Sequence, residues 1–256
     1  MVILTKLMMI FLVCLSLTLK ANESEQNQAE VPQVKKRKGE IFISDLASPF
    51  QTNARFIVYG GVLATSLAYF NQKNQTYRKR ESLKDAQPLG NTGFIGDIIG
   101  YGVLNIGYIA WATWYGHHYE DSQMKKNAEL MARATLYATG TTMVFKSVIK
   151  EKRPGYPDDE NSFPSGHSSA SFSFASVIAA RHGWGYGGAA YALAGFIAVS
   201  RVNDDFHYLH DILAGITIGA SFGWGVHYNM QKGNNSWFTL MPTPNRGAGI
   251  AMGWSF

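Results

Sequence analysis

The sequence predicts an all-α protein: a six-helix bundle followed by a short C-terminal β-hairpin. Three observations carry this. Apolar runs of helical length recur between polar, glycine-rich or proline-rich connections. Hydrophobic residues make up 46% of the 256 residues and aromatic ones 13%, enough for a sizeable core. The C-terminal residues drop the helical pattern and alternate instead, which is the period of a strand.

Residues 1–21 read as a secretory signal, with Lys6 at the positive start, an apolar stretch over 7–19 and the small Ala21 for cleavage. An uncleaved anchor is the alternative. Cys14 is the only cysteine and lies in this stretch, so a mature chain would hold no disulfide. Residues 22–45 are polar and poor in aromatics, the composition of a flexible linker. Their basic run, Lys35 to Lys38, reads as solvated.

The helical domain is expected over 46–231. Its first helix covers 56–70, and the charged stretch 71–92 is a loop. A second helix covers 95–115. The third covers 127–153, where Lys146 and Arg153 stand two turns apart and would share a face. A Pro/Asp/Ser loop spans 154–164. The fourth helix, 168–181, starts directly after Ser165-Gly166-His167, so its N-terminus would face whatever anion that turn approaches. A glycine turn over 183–188 separates it from the fifth helix, 189–201. The sixth covers 209–228. In the tail, 232–256, residues 237–241 are β-prone, 242–247 are turn-rich, and Ile250, Met252, Trp254 and Phe256 alternate with small residues. Two strands cannot close a barrel, so the aromatic C-terminus does not imply one.

The chemistry sits in three segments. Lys146 leads to Arg153-Pro154, then comes Pro164-Ser165-Gly166-His167, then Ser200-Arg201 with His207 and Asp211. Three cations can neutralise a tetrahedral oxyanion and hydrogen-bond it. Gly166 lets a backbone N–H approach the anion. Four residues separate His207 from Asp211, so on a helix they share a face. The carboxylate can then hold one imidazole nitrogen protonated and leave the other free to attack. His167 is available to protonate a leaving oxygen. Each segment alone has a plainer reading: Arg153-Pro154 as a helix end, Ser165 as an N-cap, Asp211 as a favourable first-turn charge. Their joint occurrence, in order and complete, argues against those readings.

The three segments resemble the motifs of the type 2 phosphatidic acid phosphatase (PAP2) and vanadium haloperoxidase superfamily, over roughly residues 93–230. The resemblance implies that His207 is the nucleophile, that Asp211 orients it and that His167 is the acid. It also implies that Lys146, Arg153, Ser165, Gly166 and Arg201 hold the phosphate oxygens. No metal or other cofactor is implied, and the sequence offers no convincing metal cluster: His117-His118 cannot share a helix face, and Asp158-Asp159-Glu160 has no histidine at ligand spacing. His210, His182 and His227 have no motif role.

The expected protein is thus a metal-independent phosphatase of the cell envelope. Its substrate would be a phosphorylated lipid or another small phosphoester, and its mechanism a phosphohistidine. The alternatives are a soluble periplasmic acid phosphatase, a vanadate-dependent haloperoxidase and a non-catalytic lipid-binding protein. A net charge of +5 without an aromatic-basic array argues against nucleic acid as a partner. The membrane surface is the expected partner, with the site on the periplasmic side. The mean hydropathy of −0.09 is low for a six-span membrane protein.

Overall fold

The computed structural model describes residues 38–74, 87, 89–231, 236–242 and 248–254. The expected signal and most of the expected linker lie outside them, as does most of the loop 71–92. Among the described residues there are seven α-helices rather than six: α1 (Lys38–Gln51), α2 (Arg55–Asn74), α3 (Gly93–Gly100), α4 (Val103–His118), α5 (Ser122–Ile149), α6 (Gly166–Asn203) and α7 (Leu209–Gln231). Strands β1 (Ser236–Pro242) and β2 (Ala248–Trp254) pair antiparallel, with Ser236 opposite Trp254. The intervening residues 243–247 are outside the described set.

The core is the packing of α5, α6 and α7. Leu130, Met131, Ala134 and Ala138 of α5 meet Ala175, Val177 and Ile178 of α6 and Phe222 and Val226 of α7. The α6–α7 contact is a small-residue seam. A Cβ on Gly215 would lie 2.5 Å from the Ser165 carbonyl, and one on Gly219 would lie 2.2 Å from that of Ser169. Each contact is far inside van der Waals distance, so the two backbones meet only because those residues are glycine. This seam fixes the start of α6 beside the start of α7, where the second and third motifs lie.

Four expectations are corrected. Residues 38–45, placed in the linker, are helical, because Ile41 is buried and Asp45 is buried against Arg133 of α5. The helix expected over 95–115 is two, bent by 45° at Gly102, which has φ 82°. The fourth and fifth helices are one long element, kinked at Gly183, whose φ is also 82°. The third helix stops at Ile149, because Lys150 caps it in the left-handed conformation at φ 52°. Arg153 therefore stands on a loop and does not share a helix face with Lys146.

Candidate active site

Motif two opens α6. The Ser165 hydroxyl caps that helix, accepting from the Ser168 N–H at 3.4 Å and lying 3.1 Å from the Ser168 hydroxyl. Ser165 is fully buried, and its own N–H donates to the Asp211 carbonyl at 3.0 Å. The first-turn N–H groups of Gly166 and His167 precede the intrahelical ladder and are the donors a helix N-terminus offers an anion. A Cβ on Gly166 would meet only Thr142 Cγ2, at 3.9 Å. The surrounding protein does not demand glycine there, so the space is open to a ligand.

Motif three brackets a reversal of the chain. Arg201 lies in the last turn of α6, and its carbonyl accepts from the Phe206 and His207 N–H groups at 3.1 and 3.2 Å. His207 therefore precedes α7 rather than lying on it. Asp211 is the third residue of α7, and its Oδ2 reaches back to accept the Tyr208 N–H at 2.8 Å, as a capping carboxylate does. The same oxygen accepts the Ser162 hydroxyl at 2.6 Å and lies 3.4 Å from His207 Nδ1. The imidazole is thus aimed at the carboxylate at a distance too long for a formed hydrogen bond, and Nδ1 has no other partner. Its second nitrogen faces away from Asp211.

The cations arrive from three elements. Lys146, in the last turn of α5, donates to the Asn161 carbonyl and lies 3.4 Å from that of Ser162. Burial, then the neighbouring Arg153, lowers its ammonium to about 8. Arg153 Nε lies 2.9 Å from Asp159 Oδ2, an ion pair with too poor an angle for a hydrogen bond. Arg201 is only 1% exposed, yet its Nε and Nη2 have no hydrogen-bond partner. Both guanidinium groups lie over the Phe206 ring, at 5.3 Å for Arg153 and 4.4 Å for Arg201.

The electrostatics join these groups into one site. Burial, helped by Lys146 and Arg153 and opposed by Asp211, lowers His207 below its ordinary value. Burial works to raise the Asp211 carboxyl, but His207, His210 and Ser162 together hold it below the usual carboxylate range. Burial and the Arg201 charge push His167 down to about 4.

Several participants were missed in the sequence. Asp97 of α3 places its Oδ1 2.6 Å from Arg201 Nη1 and 3.1 Å from His167 Nε2. Behind Asp211, His210 Nε2 lies 3.2 Å from Asp211 Oδ1 and 2.9 Å from Glu151 Oε2. Hydrogen bonding to Glu151 and the two carboxylate charges outweigh burial and raise His210. Ligand atoms of Glu151, His210 and Asp211 all lie within 4.8 Å of one another, so this trio could hold a metal ion, contrary to the expectation from spacing. Spacing could not show it, because Glu151 and His210 lie 59 residues apart. A cavity of about 510 Å³ opens beside Asp97, lined also by Phe94, Tyr156, Asp204 and Phe206.

The fold and site define a helical domain with a buried His–Asp pair beside Lys146, Arg153 and Arg201. Residues 130–235, which hold all three motifs, match the sequence model of the PAP2 superfamily. That match supports a phosphatase. Among solved structures, the chain is similar to one described as the first transmembrane PAP2 type phosphatidylglycerolphosphate phosphatase from Bacillus subtilis. That likeness has 19% identity and a TM-score of 0.37, and covers 76% of this chain and 94% of that one. No curated protein matches the sequence significantly.

Proposed function

We propose that the protein is a metal-independent phosphatase that hydrolyses phosphomonoesters or diphosphates, of lipids in the cell envelope, through a phosphohistidine. The observation that carries the reading is the convergence of His207, Asp211, His167 and Arg201, the last with buried N–H groups that make no hydrogen bond. Such donors cost free energy in the free protein and are satisfied by phosphoryl oxygens.

The second nitrogen of His207 attacks phosphorus in line while Asp211 holds the Nδ1 proton. The bond from phosphorus to the leaving oxygen breaks, and His167 Nε2–H gives that oxygen its proton. Water then attacks the phosphohistidine, His167 takes the water's proton, and inorganic phosphate leaves. Lys146, Arg153, Arg201 and the first-turn N–H groups at Gly166 and His167 stabilise the phosphoryl charge. Ser165 contributes by fixing that turn. His167 is depressed to about 4 in the free site, so its proton accompanies the substrate, whose negative charge offsets that of Arg201.

The lipid reading rests on exposed apolar residues of α3 and α4. Phe94, which lines the cavity, is exposed with Ile95 and Ile98 on α3, and Val103, Ile106, Trp111 and Trp114 are exposed on α4. A surface of that kind fits acyl or isoprenyl chains at a membrane face. No single described helix is long and apolar enough to span a membrane, and only the bent α3–α4 pair passes by length and composition. The site would face the periplasm behind an N-terminal signal.

Two outcomes are expected. Turnover persists in excess chelator and is inhibited by vanadate, measured on purified protein with p-nitrophenyl phosphate, phosphatidate, phosphatidylglycerophosphate, isoprenyl diphosphate and lipid A. Loss on chelation with restoration by a divalent ion would overturn metal independence and point to Glu151, His210 and Asp211. Activity confined to the soluble ester would overturn the lipid reading. His167→Ala slows alkyl phosphates far more than p-nitrophenyl phosphate, whose leaving group needs little protonation. Equal loss on both would remove His167 as the acid.

A further inference from the structure

One carboxylate stands where the proposed mechanism needs a phosphoryl oxygen. Arg201 donates through Nη1 to Asp97 Oδ1 at 2.6 Å, and the same oxygen lies 3.1 Å from His167 Nε2. An oxygen held by both an arginine of the clamp and the general acid has the surroundings of a substrate's leaving or equatorial oxygen. The remaining Arg201 donors, Nε and Nη2, make no hydrogen bond, and Nη2 faces Asp204 Oδ2 at 3.8 Å. Asp97 thus satisfies only part of a cradle built for more oxygens than a carboxylate can bring.

The fold puts Asp97 there deliberately tight. Gly93, Gly96 and Gly100 of α3 face α6, and a Cβ on them would lie 2.3 Å from Asp204 Oδ1, 2.1 Å from Ser200 Oγ and 2.6 Å from His167 Cδ2. The α3 backbone is therefore seated directly on the helix that carries His167 and Arg201. The Asp97 carbonyl itself lies 3.2 Å from His167 Nε2. The Asp97 side chain, by contrast, is 44% exposed and faces the cavity, so it can turn outward while its backbone stays.

We propose that Asp97 is an internal anion that occupies the phosphoryl cradle of the free enzyme and competes with phosphate for Arg201 and His167. The inference rests on the reading of Arg201 as a phosphoryl ligand and His167 as the acid. An entering phosphoryl group displaces the carboxylate from Arg201, and the returning carboxylate helps expel inorganic phosphate. No bond is made or broken in this exchange, only ion pairs. Displacement opposes every phosphoryl anion, so its signature is weaker binding of free phosphate than the cations alone would give. An ion pair that merely braces α3 against α6 would predict the reverse, since its loss would loosen the cradle.

The test measures binding of inorganic phosphate and orthovanadate to the full chain by calorimetry, and their inhibition of turnover. Asp97→Asn removes the charge and keeps the shape. It is expected to bind both anions about tenfold more tightly, a difference of about 1.4 kcal/mol. Asp97→Glu, which keeps an anion, is expected to stay near wild type. Unchanged or weaker phosphate binding by Asp97→Asn, beside a wild type that binds and turns over, overturns the inference and leaves the phosphatase reading standing. A wild type that neither binds these anions nor hydrolyses any phosphoester overturns both. If Asp97→Asn does not fold, a crystal structure of wild type with vanadate decides. The carboxylate is expected to have left Arg201, and vanadate bound beside an intact Asp97–Arg201 pair overturns the inference.

Discussion

His207→Ala is expected to abolish the phosphoenzyme, and Asp211→Asn to lower turnover by about two or more orders of magnitude, equivalent to ~3 kcal/mol at the transition state. Both follow from the geometry of the pair. Asp211 is fully buried and its Oδ2 lies 3.4 Å from His207 Nδ1. The gap is long in the free protein, and catalytic hydrogen bonds of this type commonly tighten as the reaction proceeds. As the phosphohistidine forms, His207 gains positive charge, and the Asp211 carboxylate is the anion that faces it. An amide cannot supply that charge and can favour the wrong tautomer. Anion binding should change far less, because the proposed mechanism assigns it to Lys146, Arg153 and Arg201.

Asp211 also has a structural task, which the experiment must separate. Its Oδ2 accepts from Ser162 and from the Tyr208 N–H at the head of α7. An Asn oxygen can accept both, so thermal melting should move only by the ~0.3–1 kcal/mol of a first-turn charge. Rapid quench with labelled substrate, steady-state rates and melting on the same two variants decide. Near-normal turnover in Asp211→Asn with a lowered melting temperature would make Asp211 a helix cap and nothing more. A phosphoenzyme surviving in His207→Ala would place the nucleophile elsewhere.

The local motifs were the legible part of this site. Ser165, Gly166 and His167 are consecutive, and His207 and Asp211 are four apart, so their spatial relation is set over a few residues. Even so, His207 lies in a turn, and the pair meets because Asp211 caps α7 rather than because both ride one helix. The position of Arg153 was not legible, since the left-handed Lys150 ends α5 first. Asp97 gave no signal at all. It is a lone acid in an apolar run, and its partners His167 and Arg201 lie 70 and 104 residues away. Helix α1 failed for a related reason: the polar stretch before it hides where it starts, and its ties, Asp45 to Arg133 and Ser44 to Asn229, run to residues far along the chain. The extent of α6 was hidden because Gly183, a plausible terminator, serves as a kink inside one element. What the chain encodes over short distances could be read directly. What it encodes through tertiary pairing of single polar residues could not.

That distant arginine supports the largest stability effect expected here. Arg133→Met should cost about 3–5 kcal/mol, the range for breaking a buried ion pair from one side. For a domain of this size the cost corresponds to a drop in melting temperature of roughly 6–20 °C. Arg133 binds Asp45 in a fork, through Nε to Oδ2 at 2.7 Å and Nη2 to Oδ1 at 2.8 Å, and reaches Glu129 Oε1 through Nη1 at 2.8 Å. Asn229 of α7 donates to the same Asp45 at 2.6 Å, so one cluster ties α1, α5 and α7 together. Methionine fills much of the volume but leaves two buried carboxylates without their cation. The pH dependence gives the discriminating sign. Burial raises the Glu129 carboxyl to about 7 even against the pull of Arg133. A raised carboxyl favours the folded state fully below its ordinary value of 4.5, and that contribution is lost as pH climbs through about 7. Without Arg133 both carboxyls rise further, so the penalty of the variant should be greatest at neutral pH and shrink near pH 5, where protonation removes the buried charge. Denaturant unfolding of wild type and variant at both pH values measures this. A variant within 1 kcal/mol of wild type at neutral pH, or a penalty that grows on acidification, would mean that the cluster does not anchor α1 as its geometry indicates.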